Sequence, residues 1–368
     1  MNKEEAAKAE LVDAVLAQLH QRMPPEQAGL AEEVARQYLA QVAPEDVVEY
    51  ASADLYGIVL SHLNFARRFQ GDRAKLRVYN PRQEEHGWQS THTVIEIVQS
   101  DMPFLVDSIT VEVNRQGLTQ HLIIHPVMKL RRDADGHLVG VAAERHEEGR
   151  FESVIHVEVN RRTEVADLEA LEQGLSRVLA DVQAAVADWH TMQQRVVEAV
   201  AEVEQNPPPR LGDTAEERAF LQWVANDNFT FLGFREYALA GEGGEMQLIS
   251  VAGSGLGILR EASGERSAGF SVLSPEMRAR AREPSLLVLT KSNTRSTVHR
   301  PGYLDYIGVK RFDADGRVVG ERRFLGMYTS TAYHANPAAI PLLRRKVANV
   351  LNRAGFLPRS HAAKTLAT

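Results

Sequence analysis

The stretch whose residue types and order best suit a binding site is Asp101-Met102-Pro103-Phe104-Leu105-Val106-Asp107-Ser108. It reads as a junction between a strand and a helix. The first N–H groups of a helix have no partner within it, so such a junction suits a carboxylate or another anion. The same residues also read as ordinary structure, with Asp101 as a cap, Pro103 in the first turn, and Phe104 and Leu105 entering the core. Gly117-Leu118-Thr119, at the helix exit, is expected across from this junction, Gly117 suiting a left-handed C-terminal position.

Other chemistry-bearing residues read more simply. Gly253–Gly257 (GSGLG) lacks the further glycine and the strand–turn–helix context of a dinucleotide fingerprint, so it is expected to be a glycine-rich loop. His121, His125 and His156 fall on expected strands without a converging ligand set, so no metal is expected. His299 and Arg300, before Pro301, read as a strand end and a turn. Arg344-Arg345-Lys346, with Arg353, reads as the solvated side of a helix, and Arg322 and Arg323 are expected to be exposed beside a strand. G-x-S-x-G, the P-loop lysine motif and H-E-x-x-H are all missing. No catalytic or cofactor-binding residue is expected.

Bulk properties agree. The 368 residues are 44% hydrophobic and 25% charged, enough for two or three domains. A net charge of −7 argues against nucleic-acid partners, and the absence of cysteine excludes disulfide and thiolate chemistry. The acidic, amphipathic start and the lack of a long apolar run read as cytoplasmic, with no membrane partner.

Stepping along the chain, residues 1–72 read as helices. Leu11, Val15, Leu16 and Leu19 share one face, Pro24 and Pro25 break the chain, and a single helix is expected from Pro44 through Leu63. Residues 73–206 read as a helix-backed sheet. LRVYNP and His92–Ser100 are strands, and Leu105, Ile109 and Val113 give one helical face. LTQHLIIHPVMKLRRD is read as one strand, DADG as a hairpin turn, and Ser153–Asn160 as an alternating strand before a long helix over about 164–204. Pro207–Pro209 mark a linker at 207–212; 213–361 reads as a second antiparallel α+β domain with another DADG hairpin, and 362–368 as a tail.

The segment around DMPFLVDSITVEVNRQGL resembles the ACT domain, a βαββαβ amino-acid sensor. As a set, TVIEIVQSDMPFLVDSI, LIIHPVMKLRRDADG, ESVIHVEVNR, FLQWVANDNFTFLGFREY, GSGLGILR, GVKRFDADGRVVGERRFLGMYTS and AGFLPRSH resemble the start of the large NAD-specific glutamate dehydrogenases of bacteria, over about residues 50–361. That resemblance implies an α+β fold: a helical N-terminal segment, an ACT-like domain, then a PAS-like domain. It implies a regulatory region whose catalytic domain, with its NAD, lies further along a much longer chain. Its partners would be that catalytic domain, the other subunits of a homo-oligomer, and a small amino-acid effector at Asp101–Ser108 and Gly117–Thr119. A purely structural oligomerisation module is the alternative. The resemblance predicts that these 368 residues alone produce no NADH from glutamate and NAD; the absorbance of NADH over time checks it.

Overall fold

A computed structural model describes residues 3–71, 73–142, 148–241, 246–260, 271–272 and 283–353. The chain forms two compact units. The first comprises Met1–Val182 with Thr297–Arg300, the second Gln183–Ser296 with Pro301–Thr368. The compositional limits at 72/73 and 206/207 therefore differ from the packing: the N-terminal helices share a unit with the first sheet, and the units part within the long helix.

The first unit opens with α1 (Lys3–Arg22), α2 (Pro25–Ala40), α3 (Pro44–Val47) and α4 (Ser52–Ala66). Proline opens α2 and α3, where its missing N–H costs nothing. The single helix expected from Pro44 is two, because the chain turns between Val48 and Ala51; the Tyr50 N–H bonds Val47 O and the Asp54 N–H bonds Ala51 O. Val15, Leu16 and Leu19 of α1 and Leu55, Ile58, Val59 and Leu63 of α4 form one core with Val94, Val98 and Val154 of the sheet.

That sheet contains β1 (Lys75–Tyr79), β2 (Thr93–Ser100), β3 (Gln120–Ile124), β4 (Val127–Arg132), β5 (Leu138–Val141) and β6 (Arg150–Val159). A short α5 (Gln83–His86) follows β1, α6 (Leu105–Arg115) follows β2, and α7 (Val165–Gln205) follows β6. The order is β1-β2-β6-β4-β5, with β3 also on β6, and every pair is antiparallel. The helix-backed antiparallel sheet expected of an ACT-type domain is present. The strand pattern departs from βαββαβ: β3 to β6 run from α6 to α7 with no described helix among them, no strand of this sheet follows α7, and β1 adds an edge strand beside β2. The expected continuous strand after Gly117 is split into β3 and β4 at His125-Pro126, since proline has no N–H to give the ladder. Both halves still pair with β6, Ile124 opposite His156 and Val127 opposite Ser153. In α6 the reading as helix holds, with Leu105, Ile109 and Val113 all buried.

In the second unit, α8 (Ala215–Trp223) runs into a kinked turn at Val224–Asn228, where Asn226 and Asp227 leave helical backbone angles, and the sheet contains β7 (Phe229–Ala240), β8 (Gln247–Ser250), β9 (Leu256–Gly257), β10 (Ser271–Val272), β11 (Leu287–Arg295), β12 (Tyr303–Phe312) and β13 (Val318–Tyr328). Its order is β10-β8-β7-β13-β12-β11, with β9 also on β7. Helices α9 (Ser330–His334) and α10 (Leu343–Arg353) follow. Met192, Val196 and Val200 of α7 and Phe220 and Leu221 of α8 pack with Phe231, Phe234, Ile307 and Phe324 of the sheet. Both DADG turns form as expected: Gly136 (φ 81°) and Gly316 (φ 74°) each donate N–H to the first Asp of the turn. Residues 242–245, the AGFLPRSH motif and the 362–368 tail lie outside the described residues. No helix among the described residues is long and apolar enough to cross a membrane.

Gly57 lies where α4 meets buried Trp88. A Cβ there would sit 2.3 Å from the Trp88 Cβ. Gly57→Ala is expected to lower stability by about 1–3 kcal/mol despite alanine's better helix propensity, as overpacking does; a urea unfolding curve checks it.

Candidate functional site

The entrance to α6 is built differently from its sequence reading. Asp101 is not the cap. Its carboxylate accepts from Ser153 Oγ at 2.7 Å, its N–H donates to Phe151 O at 2.9 Å, and Ser153 Oγ lies 3.0 Å from His125 Nε2. The cap position belongs to Phe104, in the left-handed conformation (φ 73°), with no side-chain cap bond. Pro103 is exposed, Val106 is half-buried, and the Met102 sulfur accepts from Gln99 Nε2 at 3.3 Å. Ser108 Oγ donates to Phe104 O at 2.6 Å and accepts the His299 N–H at 2.9 Å. The His299 ring lies 4.8 Å from the Phe104 ring, and its Nδ1 is 3.1 Å from the Asp107 carboxylate. His299 is thus more than a strand end: it is itself left-handed (φ 71°) and sits on the α6 entrance within the first unit.

Gly117, Leu118 and Thr119 lie past the other end of α6. Gly117 is left-handed (φ 70°), buried Leu118 donates N–H to Val113 O at 3.2 Å, and Thr119 donates N–H to Asn160 Oδ1 at 2.6 Å. A helix the length of α6 spans about 16 Å, so the two predicted halves of the site are not brought together.

The remaining sequence candidates are taken up by packing. The Gly257 N–H donates to the Asp188 carboxylate of α7 at 2.7 Å, and Arg260 Nη2 lies 2.5 Å from the same group. A Cβ at Gly257 or Gly255 would collide with the carbonyl oxygen of Leu232 or Leu259, so these two glycines of GSGLG permit close backbone approach. Arg344 and Arg345 are not merely a solvated face; they pair with Glu216 (2.7 Å) and Glu217 (3.6 Å) of α8. Nor are Arg322 and Arg323 free at the surface. Arg322 reaches Glu202 at 2.6 Å and Glu236 at 3.4 Å, and Arg323 lies 4.0 Å from the Tyr237 ring centroid.

Among the described residues a dense polar group lies instead under α4, and of its members only His156 stands out in the sequence. Val94 and Val98 of β2 and Val154 of β6 face the α1–α4 core, so by strand parity Glu96, His156 and Glu158 point the same way. Glu96 and His156 are direct register partners, and both are fully buried, as is His62 of α4. His62 Nδ1 lies 3.0 Å from the Tyr38 hydroxyl and its Nε2 3.3 Å from Ile97 O. Glu96 accepts from Arg77 Nε at 2.6 Å and from the Tyr79 hydroxyl at 3.1 Å. His156 Nε2 is 3.4 Å from Glu158 Oε1, and His92 Nδ1 is 2.9 Å from Glu158 Oε2. The signal available in the sequence was a titratable residue among inward valines: Glu96 between Val94 and Val98, and His156 and Glu158 after Val154. Beside this group opens a cleft of about 970 Å³, lined by Tyr50, Arg82, Ser90, His92, Glu158 and Arg161 among others.

Burial pushes the His62 imidazole down from 6.5 to about 4. For Glu96, burial pushes the carboxyl up, and His62 when protonated, together with Arg77, outweighs it, so the group sits below its ordinary value. With His62 neutral at pH 7, Arg77 is the lasting cation there. The folded pKa of His62 lies below its unfolded value, so its contribution to stability is whole above pH 6.5 and is lost as pH falls toward 4. Glu96 adds a loss of the same sign at lower pH. The expected fall from His62 is up to ~3 kcal/mol, read from urea midpoints across that range; His62→Gln flattens the profile.

Residues 34–175 match the family model described as the glutamate dehydrogenase ACT1 domain, and 340–368 match glutamate dehydrogenase helical motif 1. The chain is 39% identical to an NAD-specific glutamate dehydrogenase of Halomonas elongata, over 99% of this chain and 23% of that protein. It is 35% identical to one of Pseudomonas aeruginosa, over 90% of this chain and 21% of that protein. It is 29% identical to one of Mycobacterium tuberculosis, over 74% and 16%. The chain therefore spans about a quarter or less of the length of these relatives. Among solved structures, the match to one titled "Structure of an RNA-binding Light-Oxygen-Voltage Receptor" has a TM-score of 0.16 at 9% identity, covering 84% of this chain and 93% of that one, too weak to bear on the fold. The chain belongs to the NAD-specific glutamate dehydrogenase family, as a stretch that includes the family's ACT1 domain.

Proposed function

We propose that this chain is the N-terminal regulatory and assembly portion of an enzyme that converts L-glutamate, NAD and water to 2-oxoglutarate, ammonium and NADH. The catalytic domain and the NAD site belong to the remainder of the protein. The ACT1 match supports a sensing role, and the antiparallel sheet backed by helices supports reading 213–361 as a PAS-like companion. The partners in this reading are the enzyme's own catalytic domain, the other subunits, and a small amino acid, in the cytoplasm.

The observation that carries the reading is the α6 entrance. It has no side-chain cap, so its first N–H groups suit a carboxylate at Asp101–Ser108. It is covered by His299, and both Phe104 and His299 hold left-handed conformations that their contact helps to maintain. An effector carboxylate and His299 compete for one place. That gives two states with different affinities for the effector, as regulation requires. Gly117–Thr119 act at the far end of α6, by holding its exit to Asn160.

A purely structural oligomerisation role has one observation in its favour. Val139 of β5 and Phe151 of β6 are 55% and 54% exposed, apolar surface that a second copy would cover. Calorimetry of the chain against a panel of amino acids tests the first reading. One of them is expected to bind, and His299→Ala is expected to tighten binding severalfold. Heat from none of them leaves the assembly role, and light scattering then reports the mass of the oligomer.

A further inference from the structure

The geometry points to a divalent-metal site inside the first unit, formed by His62, Glu96 and His156 and suited to zinc. One ligand atom from each lies within 4.8 Å of the other two, and all three residues are fully buried. They come from a helix and two paired strands, α4, β2 and β6, so the packing of that helix on that sheet sets their convergence. Two imidazoles and a carboxylate form a ligand set that zinc takes, leaving a position for water; magnesium and calcium favour oxygen alone.

Each ligand is also held from behind. Glu158 Oε1 lies 3.4 Å from His156 Nε2, Tyr38 lies 3.0 Å from His62 Nδ1, and Arg77 lies 2.6 Å from Glu96. Such outer partners orient metal ligands and select their tautomers. If His156 gives its Nε2–H to Glu158, its Nδ1 presents a lone pair. That Nδ1 is buried and has no hydrogen-bond partner. A plain core cluster accounts for His62, which can accept from Tyr38 and donate to Ile97 O at 3.3 Å. It does not account for His156, since a buried polar atom without a partner costs free energy that the fold has no reason to accept. A cation on Nδ1 removes that cost. Its charge is met by Glu96 and by Glu158, which lines the adjoining cleft and so marks a route for a hydrated ion.

A second group, Asp133, Asp135 and His137, is exposed and serves the DADG turn: the Asp133 carboxylate accepts the N–H groups of Asp135 (2.9 Å) and His137 (2.8 Å). It is the natural control. The chain is stripped with a chelator, dialysed against zinc sulfate, and its bound zinc counted by atomic emission. About one tightly held equivalent is expected. His156→Ala and Glu96→Gln, checked for folding by circular dichroism, should each weaken zinc binding at least ~10-fold, and His137→Ala should leave it unchanged. The unmodified chain loaded with cobalt should show the strong visible absorption of four-coordination. Failure of the folded, unmodified chain to retain zinc, a weak six-coordinate cobalt spectrum, or binding lost only in His137→Ala would each overturn the proposal. None of these readouts depends on an amino-acid effector or on dehydrogenase activity.

Discussion

The constraint on which the first unit depends is that its two central strands are buried on both faces. Ile95, Ile97, Ile155 and Val157 fill one face of β2 and β6, and Val94, Val98 and Val154 fill the other. Glu96, His156 and Glu158 also lie on that second face, where water cannot satisfy them. The neighbouring elements must therefore carry their partners. Arg77 and Tyr79 of the edge strand β1 bond Glu96, His92 just before β2 pairs with Glu158, and Tyr38 of α2 holds the neighbouring His62 of α4. A buried charge whose partner is removed is far more costly than one never introduced, so this arrangement ties the placement of α2, α4 and β1 to the sheet.

The same logic, in milder form, explains the second unit. Asp188 projects from α7 and receives the Gly257 N–H and Arg260. The glycine loop is thereby closed against the helix that supplies Met192, Val196 and Val200 to the core. Arg322 and Arg323, next to each other on β13, are drawn to carboxylates and to tyrosine faces respectively. A residue that looks like surface charge in one dimension becomes part of the scaffold once strands on either side bring it a partner.

The sequence-flagged glycines, arginines and acids serve internal contacts. The α6 entrance differs from them, because it joins an uncapped helix to two left-handed residues in contact. Local strain of that kind persists only where its surroundings maintain it, and it is the sort of element whose balance a ligand can shift.

What the sequence by itself determined was local and periodic. The helical face of Leu105, Ile109 and Val113, the two DADG turns, the extent of α7, and the strands of β-branched residues all follow from spacing and turn chemistry, which act within a few residues. The resemblance to the NAD-specific glutamate dehydrogenases was legible because it rests on long ordered motifs. Only the tertiary structure decided that the strand after Gly117 breaks at Pro126 yet keeps its partner, that β1 borders β2, and that His299 covers Phe104. It alone placed His62, Glu96 and His156 together, from α4, β2 and β6. Their meeting depends on strand register and on how α4 crosses the sheet, and no spacing along the chain encodes a distance between elements that touch only after folding.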